Sequence, residues 1–185
     1  MYTRKELIVN YQKGKRLKYL FFWKLNNKSN KNINESCLSQ WYPAGFTIDE
    51  IYYPTAEHYM MVGKAKLFDV SMIPLILNAK TSKEVKQLGR KIENFNELTW
   101  KEKSFDIVVQ GNLEKFSQNI NLKNFLINTS KKIIVEASPY DKIWGIGLEY
   151  SHRHAKNPLL WKGDNKLGFV LMKVRDIILL NDSHV

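Results

Sequence analysis

The hydrophobic pattern changes period several times along the chain, and each change predicts an element. A short apolar run, "YLFFW" at Tyr19–Trp23, reads as a strand; the polar stretch "KLNNKSNKNINES", Lys24–Ser36, reads as a loop or hairpin tip between strands, its asparagines suiting turn geometry. "FTIDEIYY" alternates about Asp49-Glu50 and predicts a hairpin, with a glutamate where a tight primed turn prefers glycine. Past Pro54 the period becomes helical, with Thr55 as N-cap and Tyr59, Val62, Leu67 and Phe68 as the predicted buried side. "TSKE" at Thr81–Glu84 reads as a capping box leading into a helix through Val85 and Leu88. Leu98, Phe105, Val109, Leu113 and Phe116 recur at spacings of 7, 4, 4 and 3, which predicts a long helix over 97–116. "KIIVEAS", Lys132–Ser138, reads as a strand, and "NKLGFVLMKVRDIILL", Asn165–Leu180, as a closing helix. The sum is an α+β class, helix-dominated, with a small and mostly antiparallel sheet.

Length and composition narrow this picture. With 185 residues, 44% of them apolar, the chain suits one sizeable core, so the expectation is a single domain over 1–185. No window approaches the roughly 18 to 20 consecutive apolar residues of a membrane span, and the N-terminus lacks a signal-peptide pattern. Cys37 is the sole cysteine, which excludes an internal disulfide and a cysteine-built zinc cluster. These features predict a cytoplasmic protein with no membrane contact; they say nothing of oligomeric state. The formal charge of +11 gathers at Lys13–Lys18, at Lys80–Lys91 and at Lys131-Lys132. Such an excess attracts anions, phosphates or nucleic acid, and equally suits a solvated lysine-rich surface.

Candidate chemistry lies in two stretches. On the helix after Pro54, Glu57 and Lys64 are two turns apart and offset by only about 20° of rotation, so both project toward one side. His58, a step round the helix, reads as a packed, hydrogen-bonded histidine. His152 and His154 lack further ligands nearby, so no metal is expected, and no cofactor motif is present. In "VEASPYDKIWGIGL", Val135–Leu148, a strand runs into a loop with Asp141, Trp144 and a Gly-x-Gly, without the third glycine and helix of a dinucleotide fingerprint. The loop reads either as backbone N–H groups approaching a phosphate, with Trp144 as a platform for a base, or as a tight turn around a core tryptophan. Two carboxylates, tryptophans and a lysine suit cleavage of a sugar carbon–nitrogen bond through an oxocarbenium-like cation, a reaction that composition alone does not select.

Five ordered blocks carry a family resemblance: "SQWYPAGFTIDEIYYPTAEHYMM", "AKTSKEVKQLGRKI", "GNLEKFSQN", "VEASPYDKIWGIGL" and "WKGDNKLGFVLMKVR". Together, from about Tyr19 to Ile178, they resemble the NADAR, or YbiA-like, family. The resemblance implies an N-glycoside hydrolase. One branch removes ADP-ribose from guanine in nucleic acid, in some cases as antitoxin to a DarT-type DNA ADP-ribosyltransferase as genetic partner; another hydrolyses early phosphorylated intermediates of riboflavin biosynthesis. A catalytically silent ADP-ribose or nucleotide-binding module is the reading from another class, opposed by the presence of all three catalytic candidates. Carried over by motif, Glu57, Lys64 and Asp141 are implied as catalytic. Trp100, Gln118, Asn119, Trp144, Gly145 and Gly147 are implied as substrate-binding. Glu57 would be the carboxylate nearest the anomeric carbon, and Asp141 would orient water or the leaving amine. Lys64 would either anchor phosphate or ribose oxygens or attack an opened sugar aldehyde. The chain departs from the usual family pattern in three places. Trp23 is followed by Lys24-Leu25 in place of a Gly-His pair, Asp49-Glu50 stands for Asp-Gly, and "EYSHRHAKNP" replaces a more acidic loop. Two of these bear on substrate choice, the hairpin one on the fold.

Overall fold

The computed structural model describes residues 3–23 and 33–183. In chain order the elements are α1 (Arg4–Gln12), β1 (Tyr19–Phe22), β2 (Phe46–Ile48), β3 (Ile51–Tyr53), α2 (Ala56–Phe68), α3 (Ile73–Asn78), α4 (Ser82–Gly89), α5 (Glu97–Ser117), α6 (Ile120–Asn128), β4 (Ile133–Glu136) and α7 (Lys166–Asp182). Short 3-10 turns lie at Glu35–Leu38, Val70–Met72 and Pro158–Leu160. The fold is α+β and helix-dominated, as the patterning predicts. Its strands form two separate pairs, β2 with β3 antiparallel and β1 with β4 parallel. The chain divides into two compact units, Gln40–Asn119 and the remainder.

In the unit Gln40–Asn119, β2 and β3 pair Phe46 with Tyr53 and Ile48 with Ile51, leaving Asp49 and Glu50 as a two-residue turn. Both turn residues have positive φ, 49° and 63°, the type I′ pattern that matches strand twist but suits Asn-Gly best. Thr55 caps α2 as expected, its side chain accepting from the His58 N–H. The predicted buried side of α2 needs correction. Its interior positions are Ala56, Glu57, His58, Met60, Met61, Val62 and Ala65, whereas Leu67 is exposed. α3, α4 and α5 all pack against α2, so it is enclosed on several sides and carries no single apolar stripe. Thr81 caps α4 by accepting from the Glu84 N–H at 3.2 Å, but the Glu84 carboxylate reaches past the cap to the Lys80 N–H, at 2.9 Å.

The long helix α5 spans the predicted residues, and its packed face is wider than the predicted apolar stripe. Val109 and Phe116 of that stripe are buried and Leu98 is 77% exposed, while Ser104, Val108, Gly111, Asn112 and Lys115 are buried beside them. At 100° per residue these five lie within about 100° of arc. Small residues let two helices approach: a Cβ at Gly111 would come 2.5 Å from the Tyr59 ring, and one at Gly63 would come equally near Ile107. The two helices therefore meet with a glycine of each against a larger side chain of the other, Gly111 against Tyr59 and Gly63 against Ile107.

In the other unit, β4 is the buried strand, with Ile134 and Val135 fully inaccessible. Its register with β1 runs from Tyr19 opposite Ile133 to Phe22 opposite Glu136. This corrects the hairpin reading of Lys24–Ser36: the partner of β1 is a strand more than a hundred residues on, as a parallel pair requires a long crossover. Residues 24–32 of that stretch lie outside the described residues. Helix α7 lies against β4, with Gly168 so near the Ile134 carbonyl that no Cβ would fit. Asn165, in left-handed conformation with φ 56°, stands where a further strand would pair. Its amide donates to the Ile134 carbonyl at 2.9 Å and accepts from the Glu136 N–H at 3.0 Å. Helix α1 is fastened by the Arg4 guanidinium, which donates to the carbonyls of Pro158 and Trp161 at 3.1 and 2.6 Å.

Candidate active site

Glu57 sits in the first turn of α2, a carboxylate only 6% exposed. Its backbone N–H donates to the Gln40 carbonyl at 3.1 Å, which fixes the start of the helix. Gln40 is itself held from both ends: its Oε1 accepts from Asn112 Nδ2 at 2.7 Å, and its Nε2 lies 3.9 Å from Met60 Sδ. One turn along α5, Lys115 is completely buried, its ammonium 5.0 Å from the Phe116 ring centroid and 5.8 Å from that of Tyr42. A lysine at zero exposure is costly unless its surroundings compensate the charge, so such positions cluster at functional sites. Gln40, Asn112 and Lys115 were not singled out by sequence reasoning. Polar residues recurring at three and four positions on a helix that also carries an apolar stripe would have been the signal.

Lys64, two turns on from Glu57, points toward the end of α4. Its Nζ donates to the Gly89 carbonyl at 2.7 Å and lies 4.3 Å from the Phe95 ring centroid. Burial lowers its pKa from the ordinary lysine value, which raises the share of neutral, nucleophilic amine. Seven residues of helix separate it from Glu57 by about 10 Å along the axis. His58 is packed and hydrogen-bonded, with Nδ1 2.8 Å from Thr55 Oγ1 and Nε2 3.2 Å from the Ala79 carbonyl. Its burial pulls its pKa down by disfavouring the imidazolium.

Trp100 lies half-buried in the first turn of α5. Gln118 and Asn119, at the other end of that helix, have their amides engaged with backbone. Gln118 both accepts from the Thr47 N–H (2.9 Å) and donates to the Thr47 carbonyl (2.8 Å), mimicking a strand neighbour for β2. Asn119 donates to the carbonyls of Gly45 and Lys115, at 3.1 and 2.8 Å.

In the other unit, Asp141, Trp144, Gly145 and Gly147 come together in one loop directly after β4. Asp141 Oδ1 accepts from the N–H groups of Ile143 and Trp144, at 2.9 and 2.7 Å, folding the loop into a turn. Its Oδ2 makes no hydrogen bond with the described residues. The N–H groups of Ile146 and Gly147 are bound to the carbonyls of Glu136 and Asp141, so they are not open to a phosphate. The loop is a tight turn, but Trp144 is half-exposed and not a core residue, and it faces the Lys166 ammonium at 6.0 Å. Gly145 is required by close approach, since a Cβ there would lie 2.9 Å from the Glu136 carbonyl.

Beside this loop, at the C-terminal ends of the parallel strands β1 and β4, lies a cavity of about 320 Å³. It is lined by Phe21, Phe22, Trp23, Glu35, Ala137, Glu149 and Tyr150. Trp23 also packs against Tyr140, ring centroids 5.8 Å apart. Aromatic walls with two carboxylates suit a flat ring carrying N–H donors. Among the described residues no group of three or more His, Cys, Asp or Glu side chains could hold a metal ion. No helix among them is long and apolar enough to cross a membrane.

The class this architecture defines is the fold of the Escherichia coli protein YbiA. Its NMR structure matches with a TM-score of 0.72 at 21% identity, covering 91% of this chain and 89% of that one. The NADAR domain model matches residues 21–179. An N-glycosidase of Acanthamoeba polyphaga mimivirus is 43% identical over 166 residues, 86% of this chain and 95% of that protein. A chloroplastic riboflavin biosynthesis protein of Zea mays is 32% identical over 139 residues, 71% of this chain but 20% of the maize protein. The chain belongs to the NADAR family.

Proposed function

We propose that this protein, a hydrolase acting on N-glycosyl bonds, removes ADP-ribose from guanine bases of nucleic acid. The observation that carries the reading is the cavity at the ends of β1 and β4. Phe21, Trp23 and Tyr150 offer flat faces there, and Glu35 and Glu149 offer acceptors for the ring N–H and amino group that guanine presents side by side. In the reaction the bond between the ribosyl carbon and nitrogen breaks, its electron pair leaves with the nitrogen, which takes up a proton, and water adds to the carbon, either directly or by hydrolysing an imine that the ring-opened carbon forms with the Lys64 amine. A carboxylate stabilises the oxocarbenium-like cation, the part given to Glu57. Asp141, with one oxygen tied into its own turn and the other open, has the geometry to orient water or the leaving amine. The formal charge of +11 supports a polyanionic carrier for the base.

A second reading keeps the chemistry and changes the substrate to a phosphorylated riboflavin precursor. It is favoured by the name of the maize relative and by chemistry: an aminopyrimidine precursor shows the same N–H and amino edge as guanine. Parallel incubation with guanine-ADP-ribosylated DNA and with the riboflavin precursors, followed by mass spectrometry, separates the two. Release of ADP-ribose from the DNA at the higher kcat/KM is the expected result; turnover of the small precursors alone overturns it. A gene for a DarT-type transferase beside this one would accord with the first reading.

A further inference from the structure

We infer that the exposed side of α4, with Lys83, Lys86 and Arg90 beside the Trp41 indole, is a docking surface for the sugar-phosphate backbone of single-stranded nucleic acid. The inference rests on the reading that the scissile base is carried on such a strand. Helix α4 buries Ser82, Val85 and Gly89 against its unit, which holds the opposite side outward. At 100° per residue, Lys83, Lys86 and Arg90 fall within about 60° of arc, on the flank of the helix that adjoins Ser82. Lys83 and Arg90 are exposed, Lys86 is half-buried, and Lys80 and Lys91 extend the row at both ends. None of the five forms an ion pair among the described residues.

The segment Lys80–Lys91 contains a single acid, Glu84. Its carboxylate accepts from the Lys80 N–H at 2.9 Å, so it serves the helix N-terminus and forms no ion pair with the five cations among the described residues. The second feature is aromatic. Lys86 Nζ lies 5.9 Å from the Trp41 ring centroid, so an aromatic ring adjoins the cationic row. A basic track with an adjoining aromatic ring is how proteins hold single strands without reading sequence: the cations follow the phosphates and the ring stacks on a base. The basic run Lys13–Lys18 lies beyond the end of α1, with no helix to align its charges, and it provides the comparison.

Fluorescence anisotropy with a labelled, unmodified single-stranded DNA oligonucleotide over a range of KCl tests the inference without calling on hydrolysis. Replacing Lys83, Lys86 and Arg90 together by Gln should lower affinity by about tenfold or more. It should also reduce the slope of log affinity against log salt by about 2, from about 0.7 for each phosphate contact on a single strand. The matched variant Lys13→Gln/Lys15→Gln/Arg16→Gln removes the same formal charge elsewhere and should give a clearly smaller loss. Equal losses in the two variants, unchanged binding by the α4 variant, or no DNA binding by the parent protein overturns the docking surface. Failure of the substrate reading is seen separately, as absence of ADP-ribose release in the incubation described above, and leaves the anisotropy result standing on its own.

Discussion

At Glu57, a carboxylate is buried to 6% exposure on a helix whose first turn is fixed by Gln40. Glu57→Gln keeps the volume and removes the charge, so kcat should fall by at least about a hundredfold, the scale of a lost positioned acid or base. Circular dichroism should show the fold retained; near-normal turnover would remove Glu57 from the mechanism. Lys64 has a pKa lowered by burial, and a neutral amine can still donate to the Gly89 carbonyl while offering its lone pair to an opened ribose aldehyde. Borohydride added during turnover should trap an adduct on the Lys64 peptide, and Lys64→Arg should be inactive. No adduct together with an active arginine variant would reduce Lys64 to an anchor. His58 carries a pH signature. Its folded pKa lies below the ordinary 6.5 because burial disfavours the imidazolium, so the unfolded chain binds more protons in that window. Stability should therefore fall as pH drops from about 7 to about 5, and the urea midpoint of His58→Gln should vary less over that range.

Among the elements, the β2–β3 hairpin carries a visible conflict between sequence and conformation. Asp49 and Glu50 both occupy positive φ, and for a residue with a Cβ this costs about 1–2 kcal/mol. Glu50→Gly relieves that strain while adding backbone entropy to the unfolded chain, so a net gain of up to about 1 kcal/mol is expected, read as a rise in Tm. An unchanged or lowered Tm would mean that the turn's strain is already offset by its side chains. At the far end of α5, the Gln118 amide gives Thr47 both hydrogen bonds of a strand neighbour, which holds the hairpin against the helix. The residues the family resemblance marks as substrate-binding at this point thus have a structural part as well. Helix α1 opens with Thr-x-x-Glu and forms a full capping box, a signal the apolar periodicity did not reveal.

For the whole molecule, the sequence by itself determined the class, the α2, α5, β4 and α7 spans and the β2–β3 hairpin. Each rests on local physics: a cap, a periodic run, an alternation around a turn. The ordered family blocks likewise imply Glu57, Asp141 and Trp144 as site residues. Long-range pairing was not legible, because β1 and β4 are joined across more than a hundred residues and neither strand's pattern names its partner. Burial around α2 and α5 was not legible either. A helix enclosed by several neighbours has no single apolar stripe, and the buried side of α5 includes Ser104, Gly111, Asn112 and Lys115 beside Val108, Val109 and Phe116, four positions that an apolar count passes over. Tertiary structure also decided the fate of individual polar groups. It tied the Ile146 and Gly147 N–H groups to the carbonyls of Glu136 and Asp141, drew Lys64 to Gly89 and bound the Glu84 carboxylate to the Lys80 N–H. Local propensity acts over a few residues and is written in them; which hydrogen bond a side chain makes depends on what folding brings beside it.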